Sequence, residues 1–395
     1  LRLETPTILQ TVELGKFIQQ RSGQLGAYKA FIPNPFPPAG GFGFPEKLIK
    51  QDSQAQHLVS KLDGITQLLP DVDFFIFMYV LKDAASSSQI EGTGATMIDA
   101  IEAKAEIGTS LPNDVDDIIH YIKALNNGIE SLNKIPISIR LIKELHRDLM
   151  DGARCTQPPN AGEFRQDQNW INGTNPSDAK FVPPPAHEIL RTLGDWENFA
   201  HKNDNLLPLT KAALLHAQFE TIHPFRDGNG RTGRMLTTLY LREIGLLEKP
   251  VLFLSAYFKK HQQVYYNRLL GYSNGEVNEW VQFFLSGVSE IAKEAIETVH
   301  KITELRERDI LKIQGMDKRS SKSAVKVLPR LFALPIVDTN VIQKWTGFTR
   351  NGSQKLIDRF VELEILHLRD ADKKYDKSYI YRDYVGIFYN AQKGN

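Results

Sequence analysis

Within the twelve residues HPFRDGNGRTGR, 223–234, the chain gathers an imidazole, a carboxylate, a carboxamide, glycines and arginines. Each group has a use in moving a phosphate-containing unit. His223, with an ordinary pKa of about 6.5, can take a proton from an attacking hydroxyl and later release it. Asp227 offers the hard oxygen that holds Mg²⁺ against phosphates, and Asn229 supplies neutral donors to an oxyanion. Pro224 breaks the helix that runs into His223, and Gly228 and Gly230 remove Cβ atoms where the loop must curl closely around something. A second helix starts around Gly230. Its first amides have no intrahelical acceptors, so with the helix dipole they form a nest for an anion. Arg231 and Arg234 share one face of that helix and can reach adjacent phosphate groups with forked donors. Phe225, the large apolar residue of the loop, anchors it to the core. Singly, a helix-end histidine reads as a cap, Gly-Asn-Gly as a turn and an arginine pair as a solvated face. In one loop they supply a base, a cation site, an anion cradle and two clamps, the parts needed by phosphoryl-type transfer.

The elements that must hold this loop are helical. From about residue 50 to 312, apolar residues recur at three- and four-residue intervals, as in QHLVSKLDGITQLL, FFIFMYVLKDAASSSQIE, IRLIKELHRDLM and TKAALLHAQFETI. A mainly α fold is the economical account. The first fifty residues differ: FIPNPFPPAGGFGFP, 31–45, blocks helix and is expected to run extended over a neighbouring surface with its aromatics buried. A non-helical insert at 151–185 closes on Pro183–Pro185, which leads into a helix near Ala186. Residues 162–185 fit a β-hairpin flap: QNWI, the polar turn NGTNPSD, then KFVP. An exposed strand edge there can pair with an extended segment of a target protein; the bland alternative is a surface hairpin with no ligand. Cys155, before the flap, has no paired function and reads as inert. Near the C-terminus KRSSKSAVK, 318–326, is expected to be a polar hinge. Beyond it, helix, helix, turn, helix and then two β-rich runs around a charged turn make a winged-helix pattern over 316–395.

Composition sets the class. The chain has 395 residues, 42% hydrophobic and 24% charged, with a formal net charge of +1, so no general attraction to nucleic acid or membrane is expected. No apolar run reaches eighteen residues, and LRLETPTILQ has neither the basic segment nor the apolar core of a secretory signal. One cysteine suits a reducing compartment, and a cytoplasmic location is the expectation. The GxxxxGK[ST] phosphate loop is absent from the sequence, which disfavours a P-loop kinase or ATPase. Residues 316–395 hold fifteen Lys or Arg against nine Asp or Glu. That asymmetry permits DNA contact through NGSQKLIDRFVEL, where Lys355 and Arg359 share a face, and through Lys373, Lys374 and Lys377 in the wing. Winged helices also serve as protein-contact modules.

Residues 223–234 resemble the full signature of the Fic family, HPFx[D/E]GNGRxxR, and the likeness extends over most of the chain. The resemblance implies transfer of AMP from ATP to Ser, Thr or Tyr of a protein, with Mg²⁺ and release of pyrophosphate. It makes His223 the base and Asp227 the metal ligand. Phe225, Gly228, Asn229, Gly230, Arg231 and Arg234 would line the nucleotide site: Asn229 and the loop amides at the α-phosphate region, Arg231 at the β-phosphate and Arg234 at the γ-phosphate. In YYNRLLGYSNGEVNEW, 265–280, Tyr266 and Leu269 match positions lining the adenine site, while Ser273 stands where some relatives carry Asn.

SSSQIEG, 86–92, reads on its own as a helix C-terminus with Gly92 as stop. Glu91 there is unfavourable against the dipole, which points to a partner elsewhere. The segment resembles the family's inhibitory helix, [S/T]xxxE[G/N], through Ser87, Glu91 and Gly92, and the resemblance implies that Glu91 pairs with Arg234. The implied organisation is an N-terminal segment, 1–50; a catalytic domain, 51–315, with the inhibitory helix near 80–91 and the flap near 162–185; and the winged helix, 316–395. The resemblance leaves room for a homodimer, for removal of AMP from modified proteins, and for UMP, phosphocholine or phosphate transfer. A winged-helix DNA-binding regulator is the non-enzyme alternative.

Overall fold

The structure is a computed structural model that describes residues 12–21, 23, 26–67, 69, 72–106, 111–152, 160–316, 318–369 and 377–393; Cys155, Lys373 and Lys374 fall outside them. Two short strands open it, β1 (Gly15–Gln20) and β2 (Tyr28–Pro33). Then follow α1 (Glu46–Thr66), α2 (Val72–Ile90), α3 (Met97–Ala105), α4 (Val115–Ser131), α5 (Ile139–Met150), α6 (Ile189–His201), α7 (Pro208–Ile222), α8 (Asn229–Glu243), α9 (Ser255–Lys260), α10 (Gln262–Ser273) and α11 (Val277–Gln314). The last part holds α12 (Lys318–Ala333), β3 (Ile336–Val337), α13 (Thr339–Thr346), α14 (Arg350–Glu362), β4 (His367–Leu368), β5 (Tyr379–Ile380) and α15 (Arg382–Lys393). The chain is mainly α. It divides into one compact unit of Leu1–His57, Lys123–Leu246 and Lys260–Ser289, and a second of Leu58–Ile122, Leu247–Lys259 and Glu290–Asn395.

In the first unit α7 is the central helix. Every residue from Leu209 to Ile222 is buried, Lys211, His216, Gln218 and Glu220 included, so this helix is surrounded by protein on all sides. Pro208 starts it, where a missing N–H costs nothing. The indoles of Trp196 and Trp280 donate to the α7 carbonyls of Leu215 and Ala213 at 2.8 and 2.7 Å, so their buried N–H groups are satisfied. Helix α8 lies against α7 at Gly233, where a Cβ would come 2.6 Å from Glu220 Oε1 and 3.1 Å from the Phe219 ring.

Residues 15–20 and 28–33 are more regular than the proline content nearby predicts. β1 and β2 form an antiparallel hairpin with Phe17 opposite Phe31, and only after Pro33 does the chain run irregularly to α1. Phe36 is buried there, edge-on to Phe199 at 4.6 Å. The insert is less regular than predicted. Its strands reduce to one bridge, Ile171 with Phe181, and its turn is held by Asp178, which accepts from the amides of Thr174 and Asn175 at 3.0 and 2.8 Å. What anchors it is β2: the Phe31 amide donates to Val182 O at 2.9 Å, and Phe17, Phe31 and Phe181 form an aromatic cluster.

In the second unit α2 ends at Ile90, and Gly92 takes φ +100° in the turn beyond it. Buried Asp83 of α2 accepts from Tyr121 Oη at 2.6 Å and from the Ser255 amide at 3.1 Å. The expected hinge at 318–326 is instead the start of α12, because Ala324, Val327, Leu328 and Leu331 bury one face of it. β3, β5 and β4 form a three-stranded sheet in that order, beside α13 and α14, each started by a side-chain cap, Asp338 and Thr349. The second expected β-rich run stops at Ile380. Tyr381, Tyr384, Val385 and Phe388 recur at helical spacing and are buried, so the chain becomes α15.

Candidate active site

His223 closes α7 in the left-handed conformation, φ 49° and ψ 60°. A side chain in that region is crowded, so the surroundings must hold it. Arg165 does much of the holding. Its buried guanidinium donates to the carbonyls of His223 at 2.9 Å, Ile222 at 3.4 Å, Pro184 at 2.5 Å and Asp167 at 3.1 Å, while its amide donates to Pro224 O at 3.0 Å. The last carbonyls of a helix lack intrahelical donors and carry the negative end of the dipole, so a cation satisfies them twice over. Burial lowers the Arg165 pKa to about 10, which leaves it charged at neutral pH. From the flap, Asn169 Nδ2 donates to Phe225 O at 3.0 Å.

The His223 ring lies with Nδ1 3.3 Å from the Glu220 carbonyl and 4.0 Å from Glu220 Oε2. A carbonyl and a carboxylate only accept, so Nδ1 carries a hydrogen, and in the neutral ring the lone pair is on Nε2. That is the tautomer a general base needs.

Beyond Pro224 the loop is locked by its own residues. Asn229, buried, accepts from the Phe225 amide and donates to the Phe225 carbonyl, both at 2.8 Å. Phe225 is itself fully buried. The sequence reading gives Asn229 donors for an oxyanion; here its carboxamide closes the loop by bonding in both directions to one backbone residue. Gly228 takes φ +74°, and its amide donates to Asp227 Oδ1 at 2.6 Å. The first intrahelical bond of α8 runs from Thr232 N to Gly228 O at 2.9 Å, so the amides of Asn229, Gly230 and Arg231 precede the helical ladder.

Both predicted clamps are buried on α8. Arg231 reaches Met150 Sδ from Nη2 at 3.7 Å and lies 3.8 Å from Asp227 Oδ1. Arg234 stands near His216, whose pKa falls to about 3, chiefly by burial and then by the positive charge of Arg234. His216 bridges α8 and α10, with Nδ1 3.0 Å from Thr237 Oγ1 and Nε2 2.9 Å from Tyr265 Oη. Asp227 is half exposed at the loop, and no group of three metal-binding side chains occurs among the described residues. One accessible carboxylate beside an anion cradle fits Mg²⁺, which takes one or two carboxylates and completes its shell with water and phosphate oxygens.

Tyr266 and Leu269 lie three residues apart on α10, both half-buried, with the Tyr266 ring 5.5 Å from that of Tyr265. Ser87, Glu91 and Gly92 belong to the second unit. There Ser87 is buried in α2, Glu91 sits in the closing turn with its amide donating to Ser88 O at 3.0 Å, and Asp114 Oδ2 accepts from the Gly94 amide at 2.5 Å. Sequence reasoning passed over Arg165, Asn169, His146, His216 and Glu220. The first two stand in the GEFRQDQNWI segment already singled out, and the last two lie on the helix face leading to His223 at intervals of four and three. His146 offers only the weak signal of a polar residue on an apolar face.

Residues 136–241 match the Fic/DOC family and residues 49–130 match the Fic/DOC family N-terminal region. Among curated relatives, "Protein adenylyltransferase Fic" of Drosophila willistoni is 32% identical over 155 residues, 38% of this chain and 28% of the relative. The protein of the same name from Aedes aegypti is 28% identical over 173 residues, 43% of this chain and 31% of the relative. The chain thus spans about 30% of their length. The fold is similar to that of a Fic family protein from Desulfovibrio desulfuricans, with TM-score 0.56, 18% identity, and coverage of 86% of this chain and 97% of that one. A Fic domain containing signaling protein from Bacteroides thetaiotaomicron gives TM-score 0.51 at 18% identity, covering 62% of this chain and 97% of its own.

Proposed function

From the premise that the chain carries a Fic/DOC-family domain, we propose that it transfers AMP from ATP to a Ser, Thr or Tyr hydroxyl of a protein. The hydroxyl oxygen attacks the α-phosphorus, the bond from that phosphorus to the oxygen bridging it to the β-phosphate breaks, and pyrophosphate leaves. His223 Nε2 accepts the hydroxyl proton. The observation that carries this reading is the single loop that joins an imidazole with Nδ1 turned to Glu220 to a helix start flanked by two buried arginines.

In this reading the amides of residues 229–231 receive the α-phosphate oxygens, Arg231 the β-phosphate and Arg234 the γ-phosphate. Gly228 and Gly230 let backbone approach the nucleotide, Phe225 and Asn229 keep the loop closed, and Tyr266 and Leu269 line the base. Asp227 would hold Mg²⁺, which when bound neutralises phosphate charge. A target segment runs extended along the flap, its hydroxyl brought to His223 by main-chain bonds. The setting is cytoplasmic, which the lone cysteine supports; no helix among the described residues is long and apolar enough to cross a membrane.

The resting state is braked: Glu91 engages Arg234, and a guanidinium held by a carboxylate cannot orient a phosphate with the same donors. Glu91→Gly is expected to raise transfer several-fold, and His223→Ala to abolish it. Mass spectrometry of a target incubated with Glu91→Gly protein and ATP tests the reading, since an added AMP differs in mass from UMP, phosphocholine or phosphate. Equal transfer by the parent and Glu91→Gly would remove the brake from the account. Removal of AMP is a second use of the site, with Glu91 positioning water; it predicts AMP release from a labelled target by the parent chain and not by Glu91→Gly.

For 316–395 we propose a winged-helix role in DNA contact; the order helix, strand, two helices and two strands, with sheet order β3-β5-β4, supports that reading. Lys355 and Arg359 are exposed on α14. Deleting these residues is expected to end DNA binding and to spare AMP labelling; a homodimer through the same module would show as a change in mass in solution.

A further inference from the structure

We propose that His146 is a positioning residue for the anion-binding loop, tying the start of the flap to the backbone of Asp227. It is fully buried on α5 and outside the 223–234 signature. Its Nδ1 accepts from the Gly162 amide at 2.9 Å, and its Nε2 lies 3.0 Å from the Asp227 carbonyl. An amide N–H only donates and a carbonyl only accepts, so one tautomer fits both: Nδ1 bare, Nε2 protonated. The ring is therefore neutral and spans two backbone segments with opposite polarity at its two nitrogens.

The ring also stacks flat on Phe225, centroids 3.6 Å apart and planes 4° apart. A Cβ on Gly228 would come 3.4 Å from the imidazole and 2.9 Å from Met150 Sδ, the atom that Arg231 Nη2 approaches. His146 and Met150, one turn apart, thus form a floor under the loop. The Asp227 carbonyl belongs to the same rigid peptide plane as the Gly228 amide. Fixing that carbonyl sets the plane, and with it the aim of the Asp227 carboxylate that accepts from Gly228 and the direction of the first α8 amides. Loss of the link removes the His146 donor from Asp227 O and lets the plane rotate.

The catalytic consequence rests on the adenylyl-transfer reading; the positioning does not. In the Glu91→Gly chain, His146→Ala, His146→Gln and His146→Asn would be compared by kcat and KM for ATP, and by hydrogen exchange of peptides covering 225–232. Gln can still donate to Asp227 O, whereas Asn is too short. His146→Ala is expected to lower kcat/KM by about 100-fold, the scale of a small misplacement at a reacting centre. Exchange should speed up locally in 225–232 and not in α11. Gln should restore most of the loss and Asn little. A folded His146→Ala with parental kinetics and parental exchange would overturn the proposal, as would acceleration of exchange spread evenly over the chain. If His146→Ala does not fold, Gln and Asn decide: Gln ahead of Asn supports the link, and equality overturns it. If the Glu91→Gly parent labels no protein, the functional reading fails while local exchange still tests the positioning.

Discussion

Residue by residue, the candidate site depends on side chains that hold backbone as much as on those that would meet a nucleotide. Arg165 spreads its guanidinium over four carbonyls, those of Ile222 and His223 at the end of α7 and those of Asp167 and Pro184 in the flap, and so fixes the left-handed His223. A lysine is a point charge and cannot fork across them. Arg165→Lys is expected to lower kcat by about tenfold or more, with little change in KM for ATP, because the base and not the nucleotide cradle loses its aim; steady-state labelling kinetics check this. The residues of 223–234 were legible because they are neighbours in sequence and chemically varied. Arg165 and His146 were not, because their partners are backbone atoms 58 and 81 residues away, which carry no residue-type signature.

At the scale of elements, the α7–α8 corner works because glycine occupies two close approaches. Gly228 combines φ +74° with a Cβ position 2.9 Å from Met150 Sδ. Gly228→Ala is expected to cost about 1–2 kcal/mol from the left-handed backbone alone, and displacement of the loop adds to it. Thermal unfolding should fall by several degrees and AMP transfer should fall further than the lost folded fraction explains. Helices were easy to read where apolar spacing was long, as in α7 and α11. The misreadings came where polarity masked the period: the basic start of α12 hides Ala324, Val327, Leu328 and Leu331, and the tyrosines of α15 look like strand residues while lying at helical spacing. The flap is a short hairpin: Ile171 and Phe181 pair antiparallel, Asp178 builds its turn, and its sides also bond to Phe31 and the His223–Phe225 loop.

For the whole molecule, two neutral imidazoles buried in the first unit set an acid limit. His146 and His216 have pKa values of about 4 and about 3, below the unfolded value of about 6.5. Between those values the unfolded chain binds protons that the folded chain refuses, so stability falls as pH drops from about 6.5 toward 4. Each group contributes a slope of about 1.4 kcal/mol per pH unit in that window. Urea unfolding from pH 7 to pH 4.5 should show this decline, and His146→Gln should remove about half of the part due to these imidazoles. A flat profile would mean that the rings titrate normally. The family match covers 49–130 and 136–241, and the similar fold of the Desulfovibrio desulfuricans protein covers 86% of this chain.

The central claim is that the α-phosphorus, not the γ-phosphorus, is attacked at the loop after His223. The direct measurement is a pair of parallel incubations of Glu91→Gly protein and a lysate with ATP labelled at either phosphate. Protein-bound label from the α-position alone, lost in His223→Ala, is the predicted result. Label carried over from the γ-position, or α-label that survives without the imidazole, would contradict the account.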